Sequence, residues 1–498
     1  MIRADAEHTS NSCDLLVIGG GINGAGIAND AAGRGLRVVL CEQHDLAAHT
    51  SSASSKLIHG GLRYLEHYEF RLVREALAER EVLLAKAPHL VRPLPFVLPY
   101  RAHLRPRWLL RAGLFLYDHL GRRQQLPASK ALQLPPDGPL QPDIQHAFEY
   151  HDCQVDDARL VLVNALQARQ QGASILTRTR CVQARRVAGG WHVELENAAG
   201  QRLFYQTSAL VNAAGPWASR LFAEVLHEPA PHRLRLVRGS HILVPPLVNG
   251  HHGYILQHTD GRVVFVLPWD GHSLIGTTDV DHTDDPGSVV ATEEEQRYLL
   301  DVVNAWFKRQ LQPADILHSF AGVRPLLDDH AGSASRTTRD YHLDLQGQPG
   351  QPPLLSVFGG KLTTYRRLAE SAMQRLRPWF PAMGADWTAN SVLPGGDILD
   401  PEAFAGELRQ TYTWLPAPLC LRLASTYGSL CHTFLHEHKS LQSLGRDFGE
   451  GLSEAELHYL HDREWAVNTE DVLWRRTRLG LGFSVAGKQA LGDWLAQR

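Results

Sequence analysis

Four cations and a histidine stand out in this chain for the chemistry they offer: Arg63, Arg324, Arg339, Lys361 and His59. His59 opens the run His-Gly-Gly-Leu-Arg-Tyr64, so Arg63 and Tyr64 follow two glycines that allow a planar ligand or a substrate to approach the backbone closely. Arg324 lies in Phe320-Ala-Gly-Val-Arg-Pro-Leu326, read as a bend held by Gly322 and Pro325, and Lys361 follows Gly359 and Gly360. These are too many cations for a neutral alcohol, whereas a phosphate ester is held by charge-assisted, bidentate contacts. Taken singly, each arginine reads as a surface ion pair, and a lone histidine is more often structure than catalyst. The case is stronger for two cations set in glycine-bracketed turns. An unperturbed imidazole titrates at about pH 6.5, which suits His59 to general-base work. His241, in Gly239-Ser-His-Ile, is a weaker second candidate.

The elements that must position these residues begin with Asp14-Leu-Leu-Val-Ile-Gly-Gly-Gly-Ile-Asn-Gly-Ala-Gly26. A buried parallel strand runs into Gly19-x-Gly21-x-x-Gly24. The three glycines serve a tight turn, close approach to a pyrophosphate and close helix packing, with helix-start N–H groups facing the anion. A helix follows over 22–33, then a strand over 37–42 ending in Glu42, placed to accept from a ribose hydroxyl. NAD and FAD both fit these residues. The hydroxyls of Ser51, Ser52, Ser54 and Ser55 are candidates for lining phosphate and ribitol. A second strand ends in Ala214-Gly215, and Leu354-Leu-Ser-Val-Phe-Gly-Gly-Lys-Leu-Thr-Thr-Tyr365 repeats the strand, glycine turn and helix start, whose dipole favours negative charge.

At 498 residues the chain is too long for one hydrophobic core, and two or three domains are expected. Its 50 basic and 53 acidic residues give no global argument for nucleic acid. Six cysteines without a C-x-x-C pair suit a reducing compartment and give no metal site. Residues 1–12 hold no apolar run for a signal peptide, and no later run reaches the roughly 20 apolar residues of a membrane span, so a cytosolic or membrane-surface protein is expected. Residues 101–123 carry six arginines and one acid, Asp118, among Trp108, Leu114 and Phe115. That pattern suits equally a segment lying among lipid headgroups and an ordinary helix with a core side. A helix is expected over 70–86 with Phe70, Val73, Leu77 and Leu84 in the core. Prolines 88, 93, 95 and 99 then end regular structure, and 127–142 is a loop. A helix over 155–171, strands over 174–180 and 191–196, an inserted antiparallel sheet over 233–280 with hairpin turns at Asp260-Gly261 and Asp270-Gly271, and a helix over 293–310 complete the pattern.

Val17-Ile-Gly-Gly-Gly-Ile-Asn-Gly-Ala-Gly26, Ser51-Ser-Ala-Ser-Ser-Lys-Leu-Ile-His-Gly-Gly-Leu-Arg-Tyr-Leu65, Gly322-Val-Arg-Pro-Leu326, Phe358-Gly-Gly-Lys-Leu-Thr-Thr-Tyr365 and Glu464-Trp-Ala-Val closely resemble the respiratory, quinone-linked FAD-dependent glycerol-3-phosphate dehydrogenases. The second and fourth motifs are highly specific. The resemblance implies an α/β fold: a Rossmann-like FAD-binding domain of the glycine/D-amino-acid oxidase type, a β-rich substrate cap and a C-terminal helical domain. The FAD part would comprise residues 14–87, 151–220 and 316–388, with a cap or membrane-facing segment at 88–150, the substrate cap at 221–315 and the helical domain at 389–498. It assigns Gly19, Gly21, Ile22, Asn23, Gly24, Glu42, Ser51, Ser52, Ser54, Ser55, Lys56, Leu57, Ala214, Gly215, Gly359, Gly360, Lys361, Leu362 and Thr363 to the cofactor. Arg63, Tyr64, His241, Arg324, Arg339 and Lys361 would bind sn-glycerol 3-phosphate, with His59, Lys361 and Arg324 catalytic. The C2 hydrogen would leave as hydride to flavin N5 while His59 takes the hydroxyl proton, giving dihydroxyacetone phosphate, with electrons passing to a membrane quinone. The implied setting is the phospholipid surface on the cytoplasmic face of the membrane, with a homodimer open to it. Two rival readings are an oxidase using oxygen and a flavin-binding regulator without turnover.

Overall fold

The computed structural model describes residues 11–101, 104–121, 123–328, 340–348 and 350–498, apart from the His67 side chain. Arg339 therefore lies outside the described residues. An eight-stranded sheet is built on five parallel strands in the order Leu354–Phe358, Arg202–Asn212, Asn11–Ile18, Val38–Cys41, Ser174–Leu176. Parallel strands covered on both faces read as unbroken apolar runs, and Leu15, Leu16 and Val17 are all fully buried. Alternation sends Leu15 and Val17 into the layer of helices Ile22–Gly33, Asp157–Gln170 and Tyr365–Leu376. Leu16 and Ile18 face the opposite layer, with Trp191 and Phe222.

A second, ten-stranded sheet stands beside it. Its strands Leu234–Val244, Val263–Trp269 and His272–Gly276 come from the expected β-rich stretch, and the Asp270-Gly271 hairpin has positive φ at both residues, +43 and +78. The sheet also takes in Leu57–Ile58, Val91–Pro99, Lys130–Gln133, His146–Val155 and His318–Leu327, and it is not purely antiparallel: Gly253–Gln257 runs parallel to Val91–Pro99. Helices Pro401–Thr411, Ala417–Tyr427, Glu454–Glu464 and Val485–Leu495 enclose a separate core around Leu408, Leu423, Leu457 and Leu491. Arg159 and Glu464 pair bidentately across to it at 2.5 and 3.0 Å, both fully buried.

Several expectations are corrected. Prolines 93, 95 and 99 sit inside a strand rather than ending structure. They share one parity, and the opposite parity faces the neighbour, since Tyr100 N donates to His146 O at 2.9 Å. Their missing donors therefore fall on the strand's other edge, where the parallel partner pairs only at Phe96 and Val97. The 127–142 loop contains the strand Lys130–Gln133, and the 174–180 strand is two, parted at Arg178 with φ +50. Phe70 is exposed at the start of its helix instead of in the core. The helix begun at Glu293 ends at Trp306. Arg324 is not in a bend: it lies within His318–Leu327, paired with Val237 in a ten-residue antiparallel ladder.

Candidate active site

The first glycine turn is shaped by contact rather than by flexibility alone. Gly19 has φ +114, and a Cβ there would stand 2.4 Å from the Ala213 carbonyl; one at Gly24 would stand 1.9 Å from the Gly19 carbonyl. At Gly21 the nearest atom would be Ser51 Oγ at 3.0 Å. Glu42 accepts from Gly20 N at 2.6 Å and from His44 N at 2.8 Å, and burial raises its carboxyl above the usual range. Ser51 Oγ accepts from Ile22 N at 3.0 Å. A cavity of about 150 Å³ opens between Gly19, Gly21, Glu42, Ser51, Ala214 and Gly215. Asn23 donates to the Gly359 carbonyl at 3.2 Å, while its Oδ1 is buried without a hydrogen-bond partner among the described residues. The cradle, the acid at the strand end and the orphaned amide oxygen fit a bound dinucleotide.

The other serines of the following loop are used within the protein. Ser52 Oγ donates to His49 O at 3.2 Å and Ser54 Oγ to Asp157 at 2.7 Å; Ser55 Oγ lies 3.0 Å from His241 Nε2. Lys56 donates to Asp157 at 2.7 Å and to Ser52 O at 2.8 Å, and Leu57 is buried in its short strand. A larger cleft of about 400 Å³ borders this loop at Lys56, Trp269, Phe320, Trp474 and Arg478, and His59, Arg324 and Lys361 do not line it.

Backbone segments that carry several of the candidate groups approach one another at the last glycine turn, where Gly359 and Gly360 have φ of +81 and +104. His59 N donates to Thr363 Oγ1 at 3.3 Å. Lys361 Nζ sits 4.0 Å from the Tyr64 ring centroid, and Arg63 lies half-buried beside that tyrosine on Leu62–His67. The strand bearing Arg324 passes the same turn, since a Cβ on Gly359 would lie 3.6 Å from the Pro325 carbonyl. Arg324 donates to Thr277 Oγ1 at 2.8 Å and to the Asp279 carboxylate, and Gly239 is empty to admit it, a Cβ there falling 2.3 Å from its guanidinium. His241 is buried and stacked on Phe320 at 4.9 Å; burial, then Arg324 and Lys56, push its imidazole well below the ordinary value. It is thereby held neutral and packed.

Sequence reasoning missed four partners. Thr277 and Asp279 hold Arg324, and their signal was the strand end Gly276-Thr-Thr-Asp279. Arg71 pairs with Asp340, the neighbour of Arg339, and Tyr117 supports Gly60; both are contacts across long sequence separations that no local pattern announces. Among the described residues one metal-capable group exists, half-buried His232, His342 and Asp344 with ligand atoms within 4.8 Å of one another.

Residues 14–366 match the family model described as FAD dependent oxidoreductase, and residues 387–495 match the C-terminal domain of alpha-glycerophosphate oxidase. A glycerol-3-phosphate dehydrogenase of Pseudomonas aeruginosa is 58% identical over 97% of this chain and 94% of its own length. A D-erythritol 1-phosphate dehydrogenase of Brucella abortus is 51% identical over 97% of each chain. Among solved structures, the glycerol-3-phosphate dehydrogenase from Bacillus halodurans complexed with FAD superposes with a TM-score of 0.73 at 25% identity, covering 98% of this chain and 94% of that one.

Proposed function

The chain belongs to the FAD-dependent glycerol-3-phosphate dehydrogenases, and on that premise we propose that it oxidises sn-glycerol 3-phosphate to dihydroxyacetone phosphate and delivers the electrons to a membrane quinone. One convergence carries the reading: the His59 backbone meets Thr363 in the turn that bears Lys361, beside the strand that holds Arg324. Bound FAD supplies the two-electron acceptor for the C2 hydrogen. His59 takes the proton of the C2 hydroxyl. Arg324 binds the phosphate, its planar fork already oriented by Thr277 and Asp279, with Arg339 and Arg63 as further cations. Lys361, held over Tyr64, faces the substrate oxygen. Gly19, Gly21, Glu42, Ser51 and the helix start at Ile22 hold the cofactor's adenosine and pyrophosphate.

A lipid-soluble acceptor requires a bilayer contact, and no helix among the described residues is long and apolar enough to cross one. We assign the contact to the helix Arg107–Leu120, which exposes Trp108, Leu109, Phe115 and Leu116 beside Arg107 and Arg111. Arg105 is excluded from that role because it is paired with Glu66 at 2.7 Å and Gln257 at 2.5 Å. The protein would then act on the cytoplasmic face of the membrane.

Anaerobic titration with glycerol 3-phosphate tests the reaction. Stoichiometric bleaching of the flavin spectrum is expected, and an unchanged spectrum would leave a flavin-binding regulator. Peroxide formation in air at the rate of quinone reduction would instead make oxygen the acceptor. Because a 51% identical relative is named for D-erythritol 1-phosphate, the same titration with that ester tests a longer polyol phosphate. A higher kcat/KM for it would transfer the substrate assignment.

A further inference from the structure

The helix Arg107–Leu120 buries only two residues, Leu114 and Tyr117. Leu114 packs in the apolar cluster with Leu77, Phe96 and Phe148. Tyr117 joins that cluster too, but its hydroxyl reaches further. It accepts from Gly60 N at 2.8 Å and lies 2.7 and 2.8 Å from the two Asp152 oxygens, to which it donates. Arg80 holds Asp152 at 2.6 Å and donates to His151 O at 2.8 Å, while Gly60 N also lies 3.3 Å from Asp152. Tyr117, Asp152 and Arg80 are all buried.

Gly60 directly follows His59, so this hydrogen bond fixes the peptide plane on one side of the proposed base. On the other side His59 N is fixed to Thr363. The turn is tightly packed at Gly60: a Cβ there would fall 2.5 Å from Leu77 and 2.6 Å from the Tyr117 hydroxyl. The opposite face of the helix is the exposed one, with Trp108 72% and Phe115 56% accessible. A single helix thus presents an apolar outer face and, on its inner face, a support of the His59–Gly60 peptide.

We infer that Tyr117 is a positioning residue for the reaction, and that through it the Arg107–Leu120 helix transmits occupancy of its outer face to His59. The inference rests on the proposed role of His59 and deepens it into a regulatory one. Misplacement of a reacting group by about 1 Å costs on the order of a hundredfold in rate. The buried chain of direct hydrogen bonds from Gly60 through Tyr117 to Asp152 and Arg80 gives such a shift a continuous path.

Tyr117→Phe removes the hydroxyl and keeps the ring. Tyr150→Phe removes another buried hydroxyl from the same cluster, outside the Gly60 hydrogen bonds, and is the structural control. In the holoenzyme, Tyr117→Phe is expected to retain flavin and to bind glycerol 3-phosphate within about twofold. Its anaerobic flavin-reduction rate at saturating substrate should fall about tenfold or more, while Tyr150→Phe keeps the parent rate. On anionic phosphatidylglycerol vesicles the parent's rate should change, whereas Tyr117→Phe sediments equally and does not respond. A Tyr117→Phe rate within twofold of the parent, or an equal fall in Tyr150→Phe, overturns the inference. His59→Gln separates the two levels: if it reduces flavin normally, the role of His59 fails, and if it is slow while Tyr117→Phe is not, only the inference fails. Should Tyr117→Phe lose its flavin, hydrogen exchange in the parent decides, since vesicles must then alter protection over residues 57–64. Unaltered protection overturns the inference.

Discussion

Asn23 donates a hydrogen bond to the carbonyl of Gly359 across 336 residues, joining the first glycine turn of the chain to the last. Both turns lie at the carboxyl ends of parallel strands in one sheet, the edge where open α/β sheets bind their ligands. The join brings the helix start at Ile22 against the turn that bears Lys361, so a dinucleotide held at the first turn would lie beside the second.

The first turn separates cofactor binding from folding. Gly21→Val should give a folded protein without FAD, because the nearest atom to a Cβ there is Ser51 Oγ at 3.0 Å and the side chain would enter the cradle. Gly24→Ala should fail to fold, its Cβ lying 1.9 Å from the Gly19 carbonyl. Circular dichroism and the ratio of flavin to protein absorbance check both. Full flavin in Gly21→Val would remove the assignment.

Arg324→Ala should raise the KM for glycerol 3-phosphate by about ten- to a hundredfold, the loss of a charge-assisted contact worth roughly 1.5–3 kcal/mol. Residual turnover of glycerol, which has no phosphate, should change little. Steady-state kinetics on the two substrates read the difference, and equal losses would make the Thr277–Arg324–Asp279 linkage purely structural.

The shape of the first glycine turn was legible because its signals are local: Gly19, Gly21, Gly24 and Glu42 follow one another at spacings fixed by a strand, a turn and a helix. The Lys361 turn repeats that logic and was legible for the same reason. Arg324 was misplaced because Gly322 and Pro325 are ordinary turn residues. Here Gly322 is small since Ala53 of the cofactor loop crosses it, a Cβ there falling 2.7 Å from the Ala53 Cβ, and Pro325 sits within a long ladder. Such tertiary causes leave no periodicity, and the same holds for Arg71 with Asp340 and Tyr117 with Gly60.

Arg159 and Glu464 form a fully buried pair between the parallel-sheet half and the helical C-terminal part. Removing one partner of such a pair leaves an uncompensated buried charge, and Glu464→Ala should destabilise by about 3–5 kcal/mol. Joint replacement with Arg159→Met should recover much of that. Thermal unfolding of the two variants measures it, and a double variant no better than the single would place the cost elsewhere.

Charge reversal at Arg107 and Arg111 should release the chain from anionic vesicles while leaving flavin reduction by substrate intact, since both are exposed on the helix face that carries Trp108 and Phe115. Each basic residue near an anionic surface contributes about 1 kcal/mol, and the parent's binding should weaken with salt. Sedimentation of the Arg107→Glu, Arg111→Glu variant with the vesicles as the parent does would move the membrane contact to another surface.

Stability should fall as the solution is acidified, through two buried imidazoles. His89 is buried with neither ring nitrogen hydrogen-bonded among the described residues, and burial, then Arg159 and Arg92, push it down to about 3; His241 is likewise held well below its ordinary value. In the unfolded chain both take up a proton as pH falls through about 6.5. The unfolded state then binds more protons than the fold, so stability declines from about pH 6.5 downward and, for His89, continues to decline until about pH 3. Each group contributes at most about 1.4 kcal/mol per pH unit, and the slope fades as pH rises above about 7. Urea unfolding between pH 7.5 and 5 should show this slope, and His89→Gln should flatten it by one group's share whatever its effect on stability at pH 7.5. An unaltered slope in that variant would mean that His89 takes its proton within the fold.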